Sequence, residues 1–171
     1  MKMNNATLCR LGAISAIAGG ALRIFAAFVP YREASPLLET LYAAVDMLLL
    51  FGLMAVYVAH ADRLGGTGLA GFVLSAFGLA SIVGPDAMML GVDFYQAGAL
   101  LLLLGLGVLS VALFRARRMR ASAALWAGSG VLVIAGALVA QPGFVMVSGI
   151  LFGFGFVLAG ADMLSEPVLA C

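Results

Sequence analysis

Long apolar stretches alternate with short polar ones along the whole chain. A membrane-spanning helix needs roughly 20 consecutive apolar residues. Short connections between such helices imply that neighbouring helices run antiparallel. The pattern therefore predicts an all-α fold, a polytopic membrane helical bundle with six transmembrane helices in a single membrane domain over residues 1–171. The predicted spans are 8–29, 37–60, 68–90, 94–114, 122–140 and 143–164.

The composition supports a lipid environment for these helices. The chain is 64% hydrophobic and 10% charged, with a mean hydropathy of +1.17. A soluble domain of this size exposes too much surface to bury so many apolar side chains. The 22 glycines are also typical of membrane helices, in which small residues let backbones approach closely. We therefore expect the helices to lie in a lipid bilayer, which is the main partner that the composition predicts.

The distribution of basic residues predicts the orientation of the bundle. Lysine and arginine favour the cytoplasmic side of short loops. With six spans, one face carries the N-terminus, the loops 61–67 and 115–121, and the C-terminus, whereas the other face carries Arg32. We predict an inner (cytoplasmic) membrane protein with both termini in the cytoplasm. The basic residues on the predicted cytoplasmic face are Lys2, Arg10, Arg63, Arg115, Arg117, Arg118 and Arg120.

Two further expectations depend on this orientation. The run RARRMR at 115–120 is interpreted as a topology signal between spans four and five rather than as a nucleic-acid or anionic-lipid patch, so we expect no nucleic-acid partner. Cys9 and Cys171 both fall on the predicted cytoplasmic side, where thiols stay reduced. We therefore expect no structural disulfide.

Spans two and four resemble each other. Residues 41–59 and 94–112 are identical at nine of nineteen aligned positions. The odd-numbered spans share a looser glycine pattern: Gly12 and Gly19, Gly71 and Gly78, and Gly128 and Gly136. One interpretation is a set of tandem helical-hairpin repeats of the kind found in transporters. The alternative is chance matching in a chain rich in leucine and glycine.

Arg23 is a permanent charge inside the first apolar stretch, and its helical face indicates where it points. Charged groups in hydrocarbon are costly and usually face the bundle interior, where they find a partner. Gly12, Ala16 and Gly20 form a ridge of small residues on the same face as Arg23, which is typical of a packing surface. Asp46 in the next span is the nearest acidic candidate, and helical side chains lean towards their own N-terminus, which brings the two heads together. We therefore predict a salt bridge between Arg23 and Asp46.

Other polar residues cluster at the same predicted membrane face. Tyr42 lies one turn from Asp46 and could donate a hydrogen bond to it, and Glu39 lies one turn beyond Tyr42. The sequence thus predicts a small polar pocket that opens outwards. Its candidate members are Arg23, Glu39, Tyr42, Asp46, Asp86, Tyr95 and Gln96.

These residues favour two classes of function. The first is the handling of a small polar solute or ion through the outward-facing pocket. The second is a membrane interaction, scaffold or regulatory protein, in which the Arg-Asp pair is purely structural and the small-residue ridges bind a second copy or another membrane protein. We expect no enzymatic activity, no metal site and no cofactor, because the single histidine, two cysteines and dispersed glycines form no known catalytic or ligand-binding motif.

Overall fold

A computed structural model describes residues 5–29, 35–83, 88–89 and 92–165 of the chain. Apart from short turns, the described part consists of helices and one minimal antiparallel pair of two-residue strands, β1 (Met88–Met89) and β2 (Val92–Asp93). This confirms the all-α class. The helices are α1 (Asn5–Ala26), α2 (Pro36–Ile82), α3 (Phe94–Arg115), α4 (Arg120–Val139) and α5 (Pro142–Ser165).

The 47-residue helix α2 contains one break, at Gly65. The backbone there has φ 59° and ψ −162°, a conformation that essentially only glycine adopts. The rings of Tyr57 and Phe72 stack with centroids 4.5 Å apart, although a continuous helix would separate these residues by about 22 Å. The chain therefore turns back on itself, and we call residues 36–64 the first limb and residues 66–82 the second limb of α2.

The predicted loop at 61–67 is wrong in its extent. Helical backbone continues on both sides of Gly65, so one residue performs the reversal that a polar loop was expected to make. Gly65 can do so because it lacks a Cβ. A break that depends on one residue does not change the hydrophobic periodicity from which helices and loops are predicted. The second limb also ends at Ile82, eight residues before the predicted end of span three.

Close glycine contacts define which helices are neighbours. Gly12 on α1 faces Ala55 on the first limb, and Gly20 on α1 lies against the Gly153 carbonyl on α5. Gly71 on the second limb lies against Leu109 on α3. The α4 helix packs against both α3 and α5. Neighbouring helices run antiparallel, as predicted from the short connections.

The bundle has two ends, which we name by residues. The Arg23 end holds the end of α1, the starts of α3 and α5, and the start of the first limb. The Gly65 end holds the break in α2, the end of α3 at Arg115 and the start of α4 at Arg120.

Large apolar side chains fill the centre of the bundle between these two ends. Leu49 and Leu53 of α2, Leu106 of α3, Trp126 of α4 and Phe156 of α5 are fully buried and belong to one apolar cluster. The Trp126 and Phe156 rings are 5.0 Å apart. This cluster, which we call the apolar plug, separates the polar groups at one end from those at the other.

The outer surface is apolar as well. Large hydrophobic side chains are exposed on every helix, among them Phe25, Phe51, Leu104, Leu138 and Phe154. Five helices are long and apolar enough to cross a membrane by length and composition. Exposed apolar surface on this scale marks contact with a partner or a membrane, so the chain has the character of a membrane protein.

Cys9 contradicts one expectation from the sequence, because it is disulfide-bonded rather than a reduced thiol. The other cysteine of the sequence, Cys171, lies outside the described residues.

Candidate functional site

Arg23 points into the bundle near the end of α1. It lies seven residues after Ala16 and eleven after Gly12, both of which are buried, so all three share one helical face. Its own side chain is half-buried. The predicted inward orientation of Arg23 is consistent with this placement.

The Arg23 guanidinium lies against α5 at Gly149. A β-carbon on Gly149 would lie 3.5 Å from Nη2 and 3.8 Å from Cζ of Arg23. The two helices are brought this close by Gly20 and Gly153, where a β-carbon on Gly153 would lie 2.7 Å from the Gly20 carbonyl oxygen. Glycines on both helices thus allow the Arg23 guanidinium to reach α5 at Gly149.

Sequence reasoning missed this neighbour. Gly149 and Gly153 are visible in the sequence as a small-residue pair, but helical periodicity shows which face is small and not which helix it meets. The sequence offers Asp46 of span two as a charged partner, whereas the guanidinium lies beside Gly149, which has no side chain.

Asp46 and Tyr42 lie on the inward face of the first limb. Asp46 precedes the fully buried Leu53 by seven residues, and Tyr42 precedes the fully buried Leu49 by seven residues. Both polar side chains are half-buried. They therefore lie on the same side of the helix as the apolar plug, but closer to the Arg23 end.

Arg23 and Asp46 interact through space without forming a salt bridge. Arg23 acts electrostatically on the Asp46 carboxylate. Within the described residues, however, the one salt bridge joins Arg63 and Asp62, at 3.9 Å between two exposed side chains. The predicted direct bridge from Arg23 to Asp46 is therefore not formed, and neither is the predicted hydrogen bond from Tyr42 to Asp46 in this part of the chain. The guanidinium instead extends towards Gly149.

Exposure along one face of α5 falls from its first turn to the plug. Val145, Phe152 and Phe156 share this face at spacings of seven and eleven residues and are 56%, 7% and 0% exposed. Gly149, one turn after Val145, is already buried. Arg23 therefore meets α5 at a buried position next to its exposed first turn.

The remaining predicted site residues are placed further out. Glu39 is exposed on the first turn of α2, and Tyr95 and Gln96 are exposed on the first turn of α3. The Asp93 carboxylate accepts a hydrogen bond from the Gln96 backbone N–H at 3.0 Å, which caps α3. Tyr95 and Gln96 belong to α3, which packs against α2 and α4, whereas Arg23 lies on α1. Membership of Glu39, Tyr95 and Gln96 in the pocket stays a prediction. Asp86 lies outside the described residues.

Comparisons with known proteins add no family to this description. No protein-family model matches the chain, and neither a curated protein nor a solved structure matches it.

Proposed function

We propose that this protein is a multi-pass membrane protein that binds a small polar solute at the Arg23 end of the bundle. One observation carries the proposal. Two opposite charges lie on inward helix faces, close enough to interact through space, yet they do not form a salt bridge with each other. Buried charges that serve structure alone are normally paired, so both groups retain hydrogen-bonding capacity for a third molecule.

The chemistry of the two groups suggests the class of solute. Arg23 offers planar N–H donors that match a carboxylate or another oxyanion. Asp46 offers carboxylate oxygens that accept from an ammonium or a hydroxyl group. A small zwitterion, with an anionic and a cationic end, would satisfy both. The sealed plug behind the site would make this a binding pocket open on one side.

The topology that we propose has six spans, because each limb of α2 would cross the membrane separately. The second limb, residues 66–82, has the minimum length for a span, roughly 17 residues. We propose that the Gly65 end faces the cytoplasm of an inner membrane, since Arg63, Arg115, Arg117, Arg118 and Arg120 all lie there. The disulfide at Cys9 favours the opposite orientation. The proposed orientation follows the five arginines, which outnumber the single disulfide.

Packing register supports the proposal that the first two hairpins are repeats. Gly52 packs on Ala16, and Gly105 packs on Ser75. Gly19 packs on Leu49, and Gly78 packs on Leu102. Adding 59 to residue numbers on the first helix and 53 to those on the second converts each pair of the first hairpin into the corresponding pair of the second hairpin. The same shifts replace Arg23 by Ile82 and Asp46 by Ala99, so the charged pair would be specific to the first hairpin.

The scaffold alternative loses one of its supports. The ridge of Gly12, Ala16 and Gly20 was a candidate surface for a second copy or another membrane protein. In the structure these residues contact the first limb of α2 and α5 of the same chain. The ridge is therefore used for internal packing.

Ligand-dependent thermal stabilisation in detergent tests the proposal. A ligand that binds the folded state at 100 times its Kd stabilises by about 2.7 kcal/mol. We would screen small carboxylates, primary amines and zwitterionic amino acids against the parent protein, Arg23→Gln and Asp46→Asn. Arg63→Gln is the matched control, because Arg63 is an exposed arginine that already has a carboxylate neighbour.

The expected result is a saturable rise in Tm with a zwitterion, lost in both site variants and retained in Arg63→Gln. A rise that persists unchanged in both site variants would place binding elsewhere. A flat response across the whole panel would argue against a solute site.

A further inference from the structure

A second group of polar atoms is buried at the Gly65 end of the bundle. His60 Nε2, Ser110 Oγ, Ser122 Oγ and Trp126 Nε1 have no hydrogen-bond partner within the described part of the chain. The four residues are at most 4% exposed. Leaving a polar group buried without a partner is costly, and such groups in folded proteins normally bind protein or ordered water. Four of them in one chain therefore need an explanation.

Other buried serines in the same bundle show that this pattern is not general. Ser75 donates to the Gly71 carbonyl, Ser129 donates to the Trp126 carbonyl, and Ser148 donates to the Ser129 carbonyl, each at 2.8 Å. Bonding to a nearby helix carbonyl is the usual way for a serine to be satisfied in an apolar helix. Ser110 and Ser122 do not make such a bond, so their hydroxyls are available to another group.

The four residues lie at similar depth from the same end. At 1.5 Å per residue, His60 is about 8 Å from Gly65, Ser110 about 8 Å from Arg115 and Trp126 about 9 Å from Arg120, with Ser122 one turn nearer the end. This places the group at the Gly65 side of the apolar plug, to which Trp126 itself belongs, whereas Arg23 lies at the other side.

All four also lie on inward helix faces. His60 lies seven residues after Leu53, Ser110 four after Leu106 and Ser122 four before Trp126, all of them fully buried positions. Trp126 itself packs against α5 at Gly155 and Phe156. The group therefore faces the interior from α2, α3 and α4.

The donors and acceptors define the kind of molecule that would fit. His60 Nδ1 is 3.0 Å from the Val56 carbonyl oxygen, which can only accept, so Nδ1 carries the proton and Nε2 is an acceptor. Trp126 Nε1 can only donate, and the two serine hydroxyls can do both. A guest must donate to His60 and accept from Trp126. A bare anion such as chloride has nothing to donate to Nε2, and a bare cation such as sodium cannot accept from the indole N–H.

We infer that the Gly65 end of the bundle holds a second binding site, for a small uncharged molecule that both donates and accepts hydrogen bonds, contacted by His60, Ser110, Ser122 and Trp126. Water and a small neutral amide or alcohol share this chemistry. The site is distinct from the charged pocket around Arg23, and the other residues of the plug lie between them.

Trp126 makes the inference directly testable, because it is the only tryptophan in the sequence. A protein labelled with ¹⁵N-tryptophan gives a single indole N–H resonance in detergent. We would measure cross-relaxation between this proton and water, and then titrate acetamide as a neutral donor–acceptor probe. The variants are Ser122→Ala and His60→Leu, with Ser75→Ala as the matched control, since Ser75 is equally buried but bonded to its own helix.

The inference predicts one of two positive results. Cross-peaks to water with no response to acetamide would identify ordered water as the guest, and a saturable acetamide-dependent shift would identify a solute site. In either case Ser122→Ala weakens the effect by about five-fold, as expected for the loss of one hydrogen bond, and Ser75→Ala leaves it unchanged. An indole proton that contacts neither water nor acetamide in the parent protein would overturn the inference. So would a response that is the same in Ser122→Ala and His60→Leu as in the parent, since the named groups would then not contact the guest.

Discussion

The Arg23 guanidinium on α1 lies directly against Gly149 on α5, with Nη2 3.5 Å from where a β-carbon of residue 149 would stand. The guanidinium therefore contacts α5 and does not form the salt bridge to Asp46 that the sequence predicted. A substitution at residue 149 would therefore alter the surroundings of the Arg23 guanidinium while leaving both charged residues in place.

Gly149→Ala is expected to be tolerated, because a distance of 3.5 Å is ordinary van der Waals contact. Its matched control is Gly153→Ala on the same face of α5, where the new β-carbon would meet the Gly20 carbonyl oxygen at 2.7 Å and force the helices apart. We expect Gly149→Ala to change the free energy of unfolding by less than about 0.5 kcal/mol, and Gly153→Ala to lower it by about 1–3 kcal/mol. Denaturant titration in detergent measures both, and equal effects would show that the two positions are packed alike.

The reversal at Gly65 predicts a strong dependence on residue type. Gly65→Ala places a β-carbon at φ 59° and ψ −162°, and we expect it to cost about 1–3 kcal/mol of stability. The neighbouring Gly66→Ala is the control, because Gly66 has no positive φ and a β-carbon there meets nothing within 4 Å. Its higher helix propensity should leave stability unchanged or raised by up to about 1 kcal/mol. Thermal unfolding of the two variants side by side tests this; equal losses would contradict a sharp turn at Gly65.

The proposed orientation predicts which end of the bundle reacts with an external reagent. In a Cys9→Ser, Cys171→Ser background, we would introduce Gln141→Cys at the Arg23 end or Arg120→Cys at the Gly65 end, both of which are exposed positions. A membrane-impermeant maleimide applied to intact cells should label Gln141→Cys and spare Arg120→Cys until the cells are opened. The reverse pattern would show that the Gly65 end faces away from the cytoplasm, which agrees with the disulfide at Cys9 and contradicts the orientation proposed from the arginines.

The interhelical hydrogen bond from Ser148 to Ser129 predicts a modest contribution to stability. Ser148→Ala removes this hydrogen bond but leaves the Ser129 carbonyl with its bond inside α4. We therefore expect the free energy of unfolding to fall by about 1 kcal/mol. Ser81→Ala is the control, because that hydroxyl bonds within its own helix to Phe77. Similar losses in both variants would indicate that the Ser148 bond adds nothing to the contact between α4 and α5.

The sequence predicted the helical faces better than the partners across them. Helical periodicity is sufficient to place Arg23, Tyr42 and Asp46 on inward faces, since each shares its face with buried residues one or two turns away. It does not determine which atoms meet, because that depends on the approach of α1 and α5 at Gly20 and Gly153. The break at Gly65 and the unpartnered groups of Ser110 and Ser122 depend on single-residue conformations, which have no period to detect.

The central claim is that Arg23 and Asp46 serve a third molecule rather than each other. A double-mutant cycle on the free energy of unfolding, with Arg23→Leu, Asp46→Leu and both together in detergent, tests it most directly. Because the two groups form no salt bridge in the structure, we predict a coupling energy below about 1 kcal/mol. If each single change instead costs about 3–5 kcal/mol and the double variant recovers the parent stability, the charges are a structural pair and the claim is contradicted.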